Sequence, residues 1–344
     1  MRTWIKSLIL CLILCSPLYA TTQVVRYVDT GAAGAGTGLD WTNAYTTLTA
    51  CINAEVHDLQ TADENYTIYC RASTSVVDAT AATVTTTWNC DATRYITIEG
   101  TDFPVDGIYD ATKYLRYALN ANGRLYVSVN KLVLRHLQFA VAATSGTATS
   151  VRVQATPVGY ADITIDSCIF RVLAGATGYS DAIYTWDSTV DLTVINSIFW
   201  GVTSTYGVLL NPVTSHSVVW YNCTAWDLKY AIRNGNAYNC ISGNNTDDFY
   251  SITVYNSCSD DGDGSNPQGP LDGDWSKEMT DPNGGDFSLV AGGNCIGNGV
   301  DNPGAGLYSN DIIGTARSST WDIGAFEYPA VPSAGGQVIM VEMQ

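Results

Sequence analysis

Ile163-Thr-Ile-Asp-Ser167-Cys-Ile-Phe170 is a short alternating strand, a small polar residue and an apolar restart, and it recurs. Leu132-Val-Leu-Arg-His136-Leu-Gln-Phe139, Leu192-Thr-Val-Ile-Asn196-Ser-Ile-Phe199, Val218-Val-Trp-Tyr-Asn222-Cys-Thr-Ala225 and Ile252-Thr-Val-Tyr-Asn256-Ser-Cys-Ser259 share the pattern, with a weaker copy at Ile96–Phe103. The fifth positions fall at 100, 136, 167, 196, 222 and 256, with an extra half-step at Tyr238-Asn239-Cys240. Steps of 26 to 36 residues carried by β-prone segments mark a solenoid, in which one rung cannot bury its apolar face alone and successive rungs must stack. Parallel stacking sets equivalent side chains about 4.8 Å apart. It predicts an internal stack of Phe103, Phe139, Phe170 and Phe199, and a ladder of Asn196, Asn222, Asn239 and Asn256 whose amides bond along the axis.

Outward from the repeats, the two ends read as caps. Ala44, Tyr45, Leu48, Cys51 and Ile52 recur at helical spacing and predict one short capping helix over the exposed edge of the first rung. The strand Tyr66–Cys70 is then expected to open the solenoid. The expected organisation is a leader over 1–20, an N-terminal cap segment over 21–64, rungs over 65–260, C-terminal rungs and cap over 261–328, and a linker and terminal strand over 329–344.

Residues 1–20 have the three-part layout of a secretory signal: Arg2 and Lys6, an apolar run to Leu14, and a small residue at Ala20. Its apolar core is too short to span a bilayer comfortably, and no later run is long enough, so no stable membrane span is expected after cleavage. The chain is strongly acidic, at −17 overall; without residues 1–20, 14 Lys and Arg face 33 Asp and Glu, a formal −19. That field repels phosphate-rich partners and argues against nucleic acid. A secreted or cell-surface location follows.

Eight cysteines lie beyond the leader: Cys51, Cys70, Cys90, Cys168, Cys223, Cys240, Cys258 and Cys295. Four of them, Cys168, Cys223, Cys240 and Cys258, sit at or beside the turn column. They read either as small buried fillers or as disulfide partners between adjacent rungs. No C-x-x-C pair is present and only three histidines, which makes zinc improbable.

Gly38-Leu-Asp-Trp41-Thr-Asn-Ala44-Tyr45-Thr-Thr-Leu48 resembles the entry segment of secreted bacterial right-handed parallel β-helix proteins of the pectate-lyase-like kind. Asp281-Pro-Asn-Gly-Gly-Asp286-Phe287-Ser-Leu289 and Trp321-Asp-Ile-Gly-Ala-Phe-Glu-Tyr328 resemble their terminal region, the latter being similar to the closing motif of choice-of-anchor modules. The chain departs from that pattern at Gly292–Gly297, which lacks the usual proline. The resemblance implies an all-β, right-handed single-stranded parallel β-helix with a short N-terminal capping helix. The group is functionally mixed and lends no catalytic residues.

Chemistry-bearing clusters are few. Trp226, Lys229, Tyr230 and Arg233 bring rings and cations into one segment after the Asn222 turn. They suit sugar binding, because aromatic faces pack on pyranose rings; a lyase site or an ordinary solvated turn are the alternatives. Asp260, Asp261 and Asp263, spaced by glycines, read as a Ca²⁺ loop or an acidic turn, without the glycine and closing Glu of an EF-hand. Asp247-Asp248 reads as a solvated turn. The arginine pattern of pectate lyases and the Gly-His-Gly of polygalacturonase-like enzymes are both missing.

The functional expectation is a non-catalytic surface protein binding polysaccharide or cell-surface glycan. A polysaccharide lyase or glycosidase, or a self-assembling structural protein using 337–344, are the other classes.

Overall fold

The computed structural model describes residues 21–119, 124–154, 161–173, 178–185, 189–201, 207–212, 217–265, 269–270 and 272–329. The leader and the 337–344 strand lie outside them. Among the described residues the chain is all-β apart from short helical turns, and nearly every strand pairing is parallel. Sheet A takes Thr22–Asp29, Glu64–Arg71, Ile96–Gly100, Lys131–Arg135, Ala161–Asp166, Val190–Ile195, Ser217–Tyr221, Asn236–Tyr238 and Thr253–Tyr255, in that spatial order. Sheet B takes Leu115–Leu119, Gln138–Ala142, Ile169–Val172, Ile198–Trp200, Thr224–Trp226 and Ile241–Gly243. Sheet C takes Ala82–Val84, Leu125–Val127, Thr147–Val153, Tyr179–Thr185 and Gly207–Pro212. From Ile96 onward the chain visits A, B and C in turn and returns to A beside its previous strand. Ile232–Arg233 and Phe249–Tyr250, a two-stranded parallel sheet, take the third place in the last two cycles.

Alternation within each strand selects the core. In Ala161–Asp166 the residues Ala161, Ile163 and Ile165 are buried, while Asp162, Thr164 and Asp166 are half-exposed. The turn from A to B is two residues long and needs a left-handed residue, supplied by His136, Ser167, Asn196, Asn222, Asn239 and Asn256 at φ 43° to 54°. Asparagine tolerates that conformation best among non-glycines, which explains its recurrence there.

Phe139, Phe170 and Phe199 stack as expected, with centroids 4.7 and 4.9 Å apart and planes within 7°. Phe103 does not join them. Its place in the column belongs to Arg116, in register with Phe139, because residues 104–114 come between Phe103 and the first strand of sheet B. Phe103 instead lies 5.5 Å from the His136 ring. Buried Arg116 is held by Asp78, which also accepts from Leu48 N, Thr80 N and Tyr114 Oη.

The capping helix runs Leu48–Glu55, capped by Thr47 Oγ1 accepting from Ala50 N. Ala44 and Tyr45 precede it, because Tyr45 exchanges backbone bonds with Tyr27 and Asp29. A second helical turn, Leu59–Ala62, follows. Sheet A opens one strand earlier than expected, at Thr22–Asp29, which pairs along its full length with Glu64–Arg71.

Residues 272–328 follow the last parallel strand. They form an antiparallel hairpin, Met279–Asp281 with Asp286–Leu289, and a tail laid against the outer face of sheet B. That face carries Ile169, Ile198, Trp200, Trp226 and Ile241, and the tail covers it with Trp275, Phe287, Ile312, Ile323 and Phe326 to make a second core. Gly324 comes so close that a Cβ would stand 2.6 Å from Ile241 Cδ1. Buried Glu327 closes the tail, accepting from Arg317 Nη1, Ser318 N and Asp322 N. No described helix is long and apolar enough to cross a membrane.

The asparagine column feeds this tail more than itself. Asn239 Nδ2 reaches Asn222 Oδ1 at 3.4 Å, the one amide–amide bond along it among the described residues. Otherwise Asn196 donates to Asn310 O, Asn222 to Asp322 O, Asn239 to Val300 O and Asn256 to Asn298 O, all at 2.7–2.9 Å. A buried amide takes the strongest available acceptor, and the tail carbonyls lack partners within a sheet.

Candidate functional site

Sheet C presents its outward residues in register: Thr83 beside Tyr126, Tyr126 beside Arg152, and Arg152 beside Tyr184. Alternation fixes this, since Leu125, Val127, Val151 and Val153 point into the core. The Arg152 guanidinium lies 5.9 Å from the Tyr126 ring centre and 5.3 Å from that of Tyr184, and Arg124 lies 6.0 Å from Tyr126.

The same face continues around Ile232–Arg233 and Phe249–Tyr250. Lys229 Nζ lies 5.6 Å from the Tyr179 ring and 5.3 Å from Tyr230; Arg233 lies 5.1 Å from Tyr230 and 4.9 Å from Tyr250. Tyr179 and Tyr250 are exposed. Among the described residues no carboxylate forms an ion pair with Arg124, Lys229 or Arg233, whereas Arg26, Arg71, Arg94, Lys131, Arg135 and Lys277 are each paired. Cations over tyrosine rings combine charged N–H donors with apolar aromatic faces, a pairing that can take a carboxylate or a hydroxyl.

Three of the four residues expected to bind sugar therefore come together here: Lys229, Tyr230 and Arg233. Trp226 does not join them. It points out of sheet B, is 3% exposed, and packs edge-on against Trp275 at 5.6 Å under the tail. Tyr126, Arg152, Tyr179, Tyr184 and Tyr250 were missed. Their signal was an aromatic or arginine at the second position of a buried doublet, as in Leu125-Tyr-Val127 and Val151-Arg-Val153.

Beside Arg233 lies an acidic knot. The carboxylates of Asp247, Asp261 and Asp263 converge, with one oxygen of each within 4.8 Å of the others. Asp247 replaces Asp260 in the expected trio, because Asp260 Oδ2 already accepts from Trp275 Nε1 at 2.8 Å and Asn244 N at 3.0 Å. Burial and the neighbouring Asp261 push Asp263 up to about 7, although its side chain keeps an exposed edge. Asp261 is held below the usual range: burial opposes its charge, but donors from Asp263, Asp248 N and Ser259 outweigh that. Asp248, wholly buried, is pushed up to about 9 by burial first and by the acids around it. The triad offers hard oxygen ligands of the type Ca²⁺ takes.

A cavity of about 830 Å³ between Gly269–Lys277 and Val290–Asn294 has Lys277 as its cation, and that is already held by Asp272 and Asp274. On sheet A the outward charges Glu99, Arg135 and Asp166 also sit side by side in register, with Arg135 Nε 3.0 Å from Asp166. Neither place holds free cations. No protein-family model matches this chain, and no curated protein matches its sequence.

Proposed function

We propose that the chain is an exported right-handed single-stranded parallel β-helix that binds an anionic polysaccharide along sheet C without cleaving it. The cyclic A–B–C strand order supports the architecture. The observation that carries the function is the tyrosine and cation patch of Tyr179, Lys229, Tyr230, Arg233 and Tyr250. A pyranose ring packs its C–H face on tyrosine, and a uronate carboxylate takes a guanidinium in a charge-assisted pair. On a chain of net charge −17, Lys229 and Arg233, which make no ion pair among the described residues, are the cations best placed to meet an anion from outside.

Ca²⁺ at Asp247, Asp261 and Asp263 is part of this reading. It would neutralise like charges beside Arg233 and anchor the loop that carries them.

Affinity electrophoresis through polygalacturonate and through neutral glucan tests the proposal. Retardation is expected in the uronate gel only, weakened by salt and lost in Arg233→Ala and Lys229→Ala. No release of unsaturated or reducing ends should accompany it. Unsaturated ends appearing with wild type and vanishing with either variant would replace binding by lyase chemistry.

A further inference from the structure

Cys258 and Cys295 stand apart from the other cysteines. Cys168, Cys223 and Cys240 share the inward position after the turn, and each thiol donates to the carbonyl two residues back at 3.4 Å. Cys258 sits one residue later in its rung, level with Ile241, and so faces the tail rather than the central core. Cys295 comes down onto it from the tail. The two sulfurs are 2.7 Å apart, and both residues are wholly buried.

Two unbonded thiols repel at that separation, and a bonded pair sits at about 2.05 Å. Both backbones are pinned, so little can relax. Cys258 N donates to Cys240 O and Ser242 N to Cys258 O; Cys295 N donates to Glu278 Oε2 and Ile323 N to Cys295 O.

We infer that Cys258 and Cys295 form a disulfide that fastens the tail to the last rung. The bond forms by exchange with a small-molecule or enzyme-borne disulfide. One thiolate attacks that disulfide and expels a thiolate; the second cysteine thiolate then attacks the mixed disulfide and expels the other. Two protein thiols lose two protons and two electrons, and the oxidant leaves as two thiols. Burial, and then the facing Cys258 thiol, raise Cys295 well above the ordinary thiol range. Exchange therefore belongs to docking of the tail, and once docked the bond is shielded from reductant. The tail is fastened at the point where it leaves the hairpin, before it runs back along Asn239, Asn222 and Asn196.

The test equilibrates the full chain in oxidised and reduced glutathione, quenches with acid, alkylates under denaturing conditions and maps the peptides. The expected result is a mass lower by two hydrogens, Cys258 joined to Cys295, and the other described cysteines alkylated. Alkylation of both, or joining of either to Cys223 or Cys240, overturns the inference. In Cys258→Ser, Cys295 should become alkylatable. Limited proteolysis should release the 296–328 tail faster from the reduced wild type than from the oxidised form; equal rates would refute fastening.

Discussion

Asn222 joins the two halves of the architecture. Its backbone makes the left-handed turn at φ 50°, and its amide donates to Asp322 O while its oxygen accepts from Tyr308 Oη at 2.6 Å. Asn222→Ala should cost about 3 kcal/mol, from left-handed strain and unpaired tail groups. Urea denaturation checks this; a loss below about 1 kcal/mol would refute the role. Asp263 and Asp248 set a pH dependence of known sign. Their carboxyls stay protonated in the fold up to about 7 and about 9, whereas an unfolded Asp releases its proton near about 3.9. Their stabilisation is therefore full below about 4 and drains as pH rises through those values. Asp29, Asp78 and Glu55, all held below their ordinary range, act oppositely and lose their contribution only in stronger acid. Melting temperature should fall between pH 5 and pH 9, and Ca²⁺ should restore part of it at the upper end. Asp263→Asn should remove the Ca²⁺ response and the part of the fall around pH 7, leaving the part that Asp248 sets, since the Asn oxygen still accepts from Phe249 N. A flat or rising profile contradicts this. The turn column was legible at residue level because left-handed turns select asparagine. Its partners were not, because Asn196 and Asn310 lie 114 residues apart and no local pattern links them.

Strands were the most legible elements, since a two-residue period with a buried apolar face leaves a direct trace in Ile163-Thr-Ile and Leu192-Thr-Val. Elements that share this apolar look but face the tail were misplaced. Trp226 looks like a surface ring by its neighbours, yet it is an outward residue of sheet B under a second core. Trp226→Ala should cost about 3–5 kcal/mol and loosen the tail without touching sheet C. Tyr230→Ala, on the open face, should change stability by less than about 0.5 kcal/mol while weakening polysaccharide retention. Calorimetry paired with affinity electrophoresis separates the two. The reverse pattern, a stable Trp226 variant that fails to bind, would return Trp226 to the binding surface. The helix Leu48–Glu55 was readable from its apolar spacing, but its start was not, because Tyr45 is held by backbone bonds to a strand that the repeat pattern does not include.

At the scale of the molecule, acidity and the proposed binding of an anionic chain look opposed, and placement of the cations reconciles them. The net charge is −17, yet Arg124, Lys229 and Arg233 remain without ion-pair partners among the described residues, Arg124 at the start of a sheet C strand and Lys229 and Arg233 around the two-stranded sheet that follows it. An anionic chain would be repelled elsewhere and held there, so retention should weaken as salt screens both terms. The candidate site was only partly legible. Lys229, Tyr230 and Arg233 are close in sequence, but Tyr126, the pair Tyr179 and Tyr184, and Tyr250 come from three strands far apart in sequence and meet only through parallel pairing. Hydrogen exchange with and without oligogalacturonate is the most direct test of the central claim. Protection is expected in Leu125–Val127, Thr147–Val153, Tyr179–Thr185, Ile232–Arg233 and Phe249–Tyr250, with sheet A and the tail unchanged. Protection confined to sheet A or to the 294–328 tail, or none at saturating ligand, would contradict it.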